Sequence, residues 1–154
     1  MNNIESFIQG SEKLTNIFGY WPSFHDAEVH ELNFRRGEIE TERNIYVFPV
    51  LKVKIHLWEL TNESNPAGFL ARLHHTLATI CFKDVHEFEM SGFNHQNAIL
   101  SLSIAREERT EGPSPVFKVR FDEAYGMQAT FICSKIEIVT AVVCDENGTE
   151  RPAL

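Results

Sequence analysis

The chain has 154 residues, 43% of them apolar, with a net charge of −8 and a pI near 5.3. That length suits a single domain, able to bury about 70% of the surface its unfolded form exposes, and the apolar content excludes a disordered chain. No run of roughly 18 apolar residues occurs, so no membrane-spanning helix is expected, and the acidic balance disfavours nucleic acid while favouring a basic protein partner.

The start, Met1-Asn2-Asn3-Ile4-Glu5, has neither the basic stretch nor the apolar core of a secretory signal, so a cytoplasmic chain is expected. Residues 2–18 carry the helical signals. Ile4, Phe7 and Ile8 fall at i, i+3 and i+4, and Gly10 ends that turn. Ser11 can cap a second short helix in which Leu14, Ile17 and Phe18 repeat the spacing, with Gly19 at its end. Helices this short are marginal alone and must dock on something.

From about residue 26 the period becomes two. In Val47–Leu57 the apolar side chains Val47, Leu51, Val53, Ile55 and Leu57 alternate with Lys52, Lys54 and His56. Phe88 and Met90 alternate with Glu87 and Glu89, Ala98 to Ile104 with Ser101 and Ser103, and Phe117 to Phe121 with Lys118 and Arg120. Each predicts a strand with one buried face. Leu73–Phe82 and Ile136–Val143 are apolar at both parities, which predicts central strands covered on both sides. Short gaps punctuated by Gly37, Asn62 to Pro66, Gly92, Gly112-Pro113 and Gly126 imply antiparallel neighbours.

The expected fold is α+β and mainly antiparallel β. It has short helices over 2–18, about seven or eight strands over 26–144 in a curved or two-layer sheet, and a polar tail over 145–154. The whole of 1–154 reads as one domain. Cys81, Cys133 and Cys144 all lie in apolar runs at wide spacings, so buried free thiols are expected.

One cluster has the composition of a site. His25, Asp26, Glu28 and His30 bring two imidazoles and two carboxylates together, ingredients for a divalent metal and a small metal-dependent enzyme. On a strand, Asp26, Glu28 and His30 would share one face, with His25 on the other. The competing reading is a helix-to-strand corner: Trp21 and Phe24 plug the core, Pro22 fixes the turn, His25 or Asp26 satisfies backbone donors, and Glu28 and Glu31 face solvent. His74 and His75, adjacent on a strand, point to opposite faces and cannot share a ligand easily. His95, with Gln96 and Asn97, belongs to a polar turn.

No nucleophile elbow, phosphate-binding glycine pattern or metal motif of defined spacing is present in the sequence, so no cofactor is expected. The acidic runs Glu38, Glu40 and Glu42, Glu107, Glu108 and Glu111, and Asp122 with Glu123 are solvated loops or an electrostatic docking face.

The run Phe18-Gly19, Trp21-Pro22-Ser23-Phe24-His25-Asp26-Ala27-Glu28-Val29, followed by Leu32 and Arg35, resembles the opening of the immunity protein 50 family. Gly92-Phe93-Asn94, Gln96-Asn97 and the alternating Leu100, Leu102 and Ile104 are similar to it as well, as are Phe117 to Phe121, Gly126 and Phe131–Cys133. The resemblance implies a non-enzymatic bacterial protein that binds and neutralises a toxin encoded beside it, with Trp21, Pro22, Phe24, His25, Asp26 and Glu28 as a structural signature. No catalytic residue is implied by it.

Overall fold

The computed structural model describes residues 3–64, 66–68 and 70–150, with Leu70 by its backbone alone. A 3-10 turn at Ile4–Phe7 and one helix, α1 (Glu12–Phe18), precede the strands. These are β1 (Glu28–Arg35), β2 (Glu38–Glu40), β3 (Ile45–Val47), β4 (Val50–Ser64), β5 (Leu70–Lys83), β6 (His86–Ser91), β7 (Ala98–Glu107), β8 (Val116–Tyr125), β9 (Gln128–Cys133) and β10 (Lys135–Val143). Eight of them form one antiparallel sheet in the order β10-β5-β4-β1-β7-β8-β9-β6, which does not close into a barrel, while β2 and β3 make a separate hairpin.

The sheet is two four-stranded halves joined at a narrow seam. β4 and β5 are paired over most of their length, as are β7 and β8. β1 and β7 share one ladder pair, Glu28 with Ala98. The halves fold toward each other, because Phe82 of β5 lies 4.9 Å from Phe131 of β9 and Phe34 of β1 lies 4.5 Å from Phe88 of β6. The alternating apolar positions read from the sequence fill the space between them: Leu51, Val53, Ile55 and Leu57 meet Phe117, Val119 and Phe121 in one core.

At seven residues, α1 survives by docking. Leu14 and Phe18 bury their side chains in the core, and Lys13 Nζ donates to the Val139 carbonyl at 3.0 Å. The expected Ser11 cap is not made through its side chain. Ser11 already has helical dihedrals, and the first turn opens with the Lys13 N–H on the Gly10 carbonyl.

Four strand expectations are corrected. On β7, Leu100 is exposed and Ile99 is buried, because the register shifts on both sides of Ile99, and on the edge strand β6, Met90 is exposed. Val47 does not continue the alternation of β4; it sits on β3 and is exposed, because Pro49 interrupts the run between them. β10 is an edge strand instead of a central one. Its apolar character follows from Ile136 and Ile138 in the core and from Gln9, which exchanges backbone hydrogen bonds with Ile136 and Ile138 and so covers part of the exposed edge. Of the segment expected as a polar tail, residues 145–150 fold back: Cys144 bridges Glu150, and Gly148 is buried against His30 and His56. Residues 151–154 lie outside the described residues.

Candidate functional site

The corner between α1 and β1 is built from the residues the sequence singled out. Pro22 and Phe24 are buried, and the Trp21 ring packs 5.6 Å from that of Phe24. Phe24, His25, Asp26 and Ala27 form a tight turn closed by the Ala27 N–H on the Phe24 carbonyl, with positive φ at Phe24 (60°) and Asp26 (65°). Such dihedrals cost energy in residues with a side chain, so surrounding contacts must hold them. They do: Asp26 N–H donates to the Ile99 carbonyl, Ile99 N–H to Ala27, and His25 Nδ1 lies 2.9 Å from the Leu100 oxygen as its donor.

Glu28 completes the attachment. Its carboxylate accepts the Asn97 backbone N–H at 2.6 Å, across the seam between the halves. Asn97 is itself buried. Its amide donates to the Asn94 carbonyl at 2.8 Å and to the Val29 carbonyl at 3.3 Å, and its oxygen accepts the Asn94 N–H at 2.9 Å. The Gly92–Asn97 loop therefore locks onto the Trp21–Val29 corner. It also meets the β8–β9 turn, where a Cβ on Gly126 would lie 2.2 Å from the Gln96 carbonyl oxygen.

These contacts separate the candidate metal ligands. The strand begins only at Glu28, so Asp26 is in the turn and does not share a strand face with Glu28 and His30. His25 faces Leu100, Glu28 is engaged by Asn97, and a register shift between Val29 and Glu31 turns His30 toward His56, 5.9 Å away between ring centres. His25 and Asp26 remain neighbours at 3.6 Å. Among the described residues no three His, Cys, Asp or Glu side chains are placed to hold a metal ion. The expectation that Glu28 faces solvent also gives way, since it is half-buried and bonded; Glu31 is exposed.

The acidic candidates are distributed over three places and mostly paired. On the hairpin, Arg43 bridges Glu38 and Glu40. Between β7 and β8, Glu107 meets Lys118 at 3.2 Å and Arg109 at 3.7 Å, and Glu108 meets Arg106 at 2.7 Å. Near the other end of β8, Asp122 holds Arg120 at 2.6 Å and accepts the Ser101 hydroxyl. Glu42, Glu111 and Glu123 are exposed.

His74 and His75 separate at a register shift in β5, where His74 has a positive φ of 58°. His74 meets Glu59, which also accepts the Tyr20 hydroxyl; these two bonds hold the Glu59 carboxyl below its ordinary range. His75 instead lies with Nδ1 2.9 Å from His56 Nε2. Burial, followed by the nearby His75 and His30, pushes His56 down to about 4, so it is neutral at physiological pH. His95 is exposed in its turn.

The family described as Immunity protein 50 matches residues 10–143, and that span contains both halves of the seam contact. The chain belongs to the Immunity protein 50 family. No curated protein and no solved structure matches it. In this Immunity protein 50 chain the Trp21–Val29 and Gly92–Asn97 motifs meet in space at the seam. The three cysteines are buried, as expected.

Sequence reasoning missed the Tyr20–Glu59–His74 and His30–His56–His75 groupings of this Immunity protein 50 chain. It also missed a groove on the outer face of β1, β4 and β5. A doublet Arg35-Arg36 and the alternating Lys52 and Lys54 were the available signals for that groove, but only strand register brings them together.

Proposed function

We propose that this chain binds a cognate bacterial toxin one to one in the cytoplasm and blocks it without turning over a substrate. Membership of Immunity protein 50 across residues 10–143 is the observation that carries this reading. The local geometry supports it: side chains that could have served acid–base chemistry at the corner are committed to the seam, with Glu28 on Asn97 and His25 on Leu100. The net charge of −8 attracts a basic toxin domain at long range. At close range Glu42, Glu111 and Glu123 are exposed carboxylates outside the ion pairs seen among the described residues. An inhibitor-type interface takes about 800 Å² from each partner, a small part of the 9824 Å² this chain exposes.

The test is co-expression with the toxin encoded beside it. Growth is expected to be restored, and in vitro the toxin's activity is expected to fall to zero at one equivalent of the purified chain. Cells equally sensitive with and without the chain would sink the proposal.

A further inference from the structure

The face of β1, β4, β5 and β10 that points away from the core carries charge of the opposite sign to the whole molecule. Register places Arg35, Val50, Lys83 and Lys135 in one row across the four strands, and Asn33, Lys52, Cys81 and Glu137 in the next. Paired residues share a face, so Arg35 and Lys83 flank Val50 with Lys135 one strand beyond Lys83, and Lys52 sits diagonally from Arg35, a separation on the order of 7–8 Å. The row positions face outward because Leu51 and Val53, which alternate with Val50 and Lys52, are in the core.

This surface is shaped. A groove of about 770 Å³ is lined by Arg35, Arg36, Lys52 and Lys83, with Val47 and Phe48 of the hairpin side as its apolar wall. It adjoins a second depression of about 460 Å³ that shares Arg35, Val50 and Lys52 with it and adds Lys54. Five of the fourteen Lys and Arg residues line the two, against three of the twenty-two Asp and Glu residues. Two of the five cations lean on carboxylates at the margins, Lys83 on Glu137 at 3.4 Å and Lys54 on Glu31 at 3.9 Å. Arg35, Arg36 and Lys52 form no ion pair among the described residues.

Like charges gathered on one face repel each other, and a carboxylate-bearing partner relieves that repulsion. The wall adds a second recognition element. Val47 and Phe48, which line the groove, are 51% and 48% exposed. Arginine beside exposed aromatics is the composition of an interface centre, and planar guanidinium groups match carboxylates in bidentate geometry.

We infer that this groove receives an acidic segment of the toxin, its carboxylates on Arg35, Arg36 and Lys52 and an apolar side chain against Val47 and Phe48. The inference rests on the toxin-binding reading and adds the partner's local chemistry to it. The long-range attraction of the chain for a basic domain and this short-range contact act on different parts of the partner. Phosphates would also suit the cations, but the net charge of −8 repels a nucleic acid and the apolar wall offers its backbone nothing.

The experiment measures affinity for the neighbouring toxin domain, inactivated by substitution, against the wild-type chain and the double variant Arg35→Glu/Lys52→Glu. Both positions are exposed, and an unchanged melting temperature and circular dichroism spectrum show that the variant folds. Lys118→Glu, on β8, is the control reversal. The double variant is expected to bind roughly 100-fold more weakly, with the control near wild type. Hairpin variant Phe48→Ser is expected to weaken binding without changing its salt dependence.

Wild-type binding with a double variant within about threefold of it overturns the groove and leaves the toxin-binding reading standing. Failure of the wild type to bind overturns both. Tighter capture of a labelled single-stranded oligonucleotide than of the toxin, abolished by the double variant, makes the groove a nucleic-acid site and overturns the inference.

Discussion

The seam contact yields the sharpest stability prediction. Asn97→Ala removes three hydrogen bonds, to the Asn94 N–H, the Asn94 carbonyl and the Val29 carbonyl, and leaves those groups behind in a largely buried setting. The backbone N–H of residue 97 still reaches Glu28, so the loss is confined to the side chain. Each orphaned group costs about 1 kcal/mol at the low end of the usual range, giving about 3 kcal/mol in total. For a domain of this size that lowers the melting temperature by about 6–12 °C. Glu28→Gln is the graded companion. An amide oxygen can still accept the Asn97 N–H, so only the charge-assisted part, about 1 kcal/mol, is lost. Urea denaturation monitored by circular dichroism measures both, with an unchanged m-value confirming that the unfolding unit is the same. An Asn97→Ala chain within about 0.5 kcal/mol of wild type would refute the claim that this side chain holds the halves together.

Three further outcomes follow from buried groups. Unfolded, His56 titrates near 6.5, but folded only near 4, so below pH 6.5 the unfolded chain takes the proton first. The contribution of neutral His56 is therefore complete above that pH and falls by about 3 kcal/mol by pH 4, and the difference in unfolding free energy between wild type and His56→Gln should narrow over that window; parallel pH profiles would contradict it. The facing groups His75, His30, Asp145 and Arg72 are unchanged in that comparison. Gly126→Ala combines a φ of 92° with a Cβ 2.2 Å from the Gln96 carbonyl oxygen, and should cost at least about 2 kcal/mol; a melting temperature within about 1 °C of wild type would dismiss it. Burial, with Asp84 adding to it, pushes the Cys133 thiol up to about 12, so iodoacetamide at pH 8 should leave it unmodified in the native chain and alkylate it in denaturant.

The fold was legible where one periodicity dominated. Strands β4 and β8 each bury one face, so their alternation was visible and their facing residues do form the core, whereas register shifts around Ile99 put that residue in the core of β7 and leave Leu100 exposed. The sequence misjudged β10 because an edge strand shielded by Gln9 has the same apolar run as a central one; the shielding comes from a residue far away in the chain. Val47 misled for a related reason: its parity matches β4, yet Pro49 puts it on a different strand. At the corner, composition alone suggested ligands. What decided otherwise was Asn97, about seventy positions on, whose backbone N–H claims the Glu28 carboxylate. The groove cations were invisible for the same cause, since Arg35 and Lys83 become neighbours of Val50 only through register.

Strand β1 serves both the seam and the groove, and the two roles should be separable by experiment. Its first residues, Glu28 and Val29, tie the halves together, while the register shift before Glu31 sets Asn33 and Arg35 on the outward face. Substitutions at the seam act on folding because they strand buried polar groups; reversals at Arg35 act on a solvated side chain with no ion pair among the described residues. Asn97→Ala, assayed at 10 °C where it remains folded, should therefore bind the toxin domain with wild-type affinity despite its lower stability. Arg35→Glu should melt within about 2 °C of wild type and bind weakly. If seam and groove variants lost stability and affinity in the same proportion, the outer face would be acting through the fold, and the division of β1 into a structural end and a recognition end would be wrong.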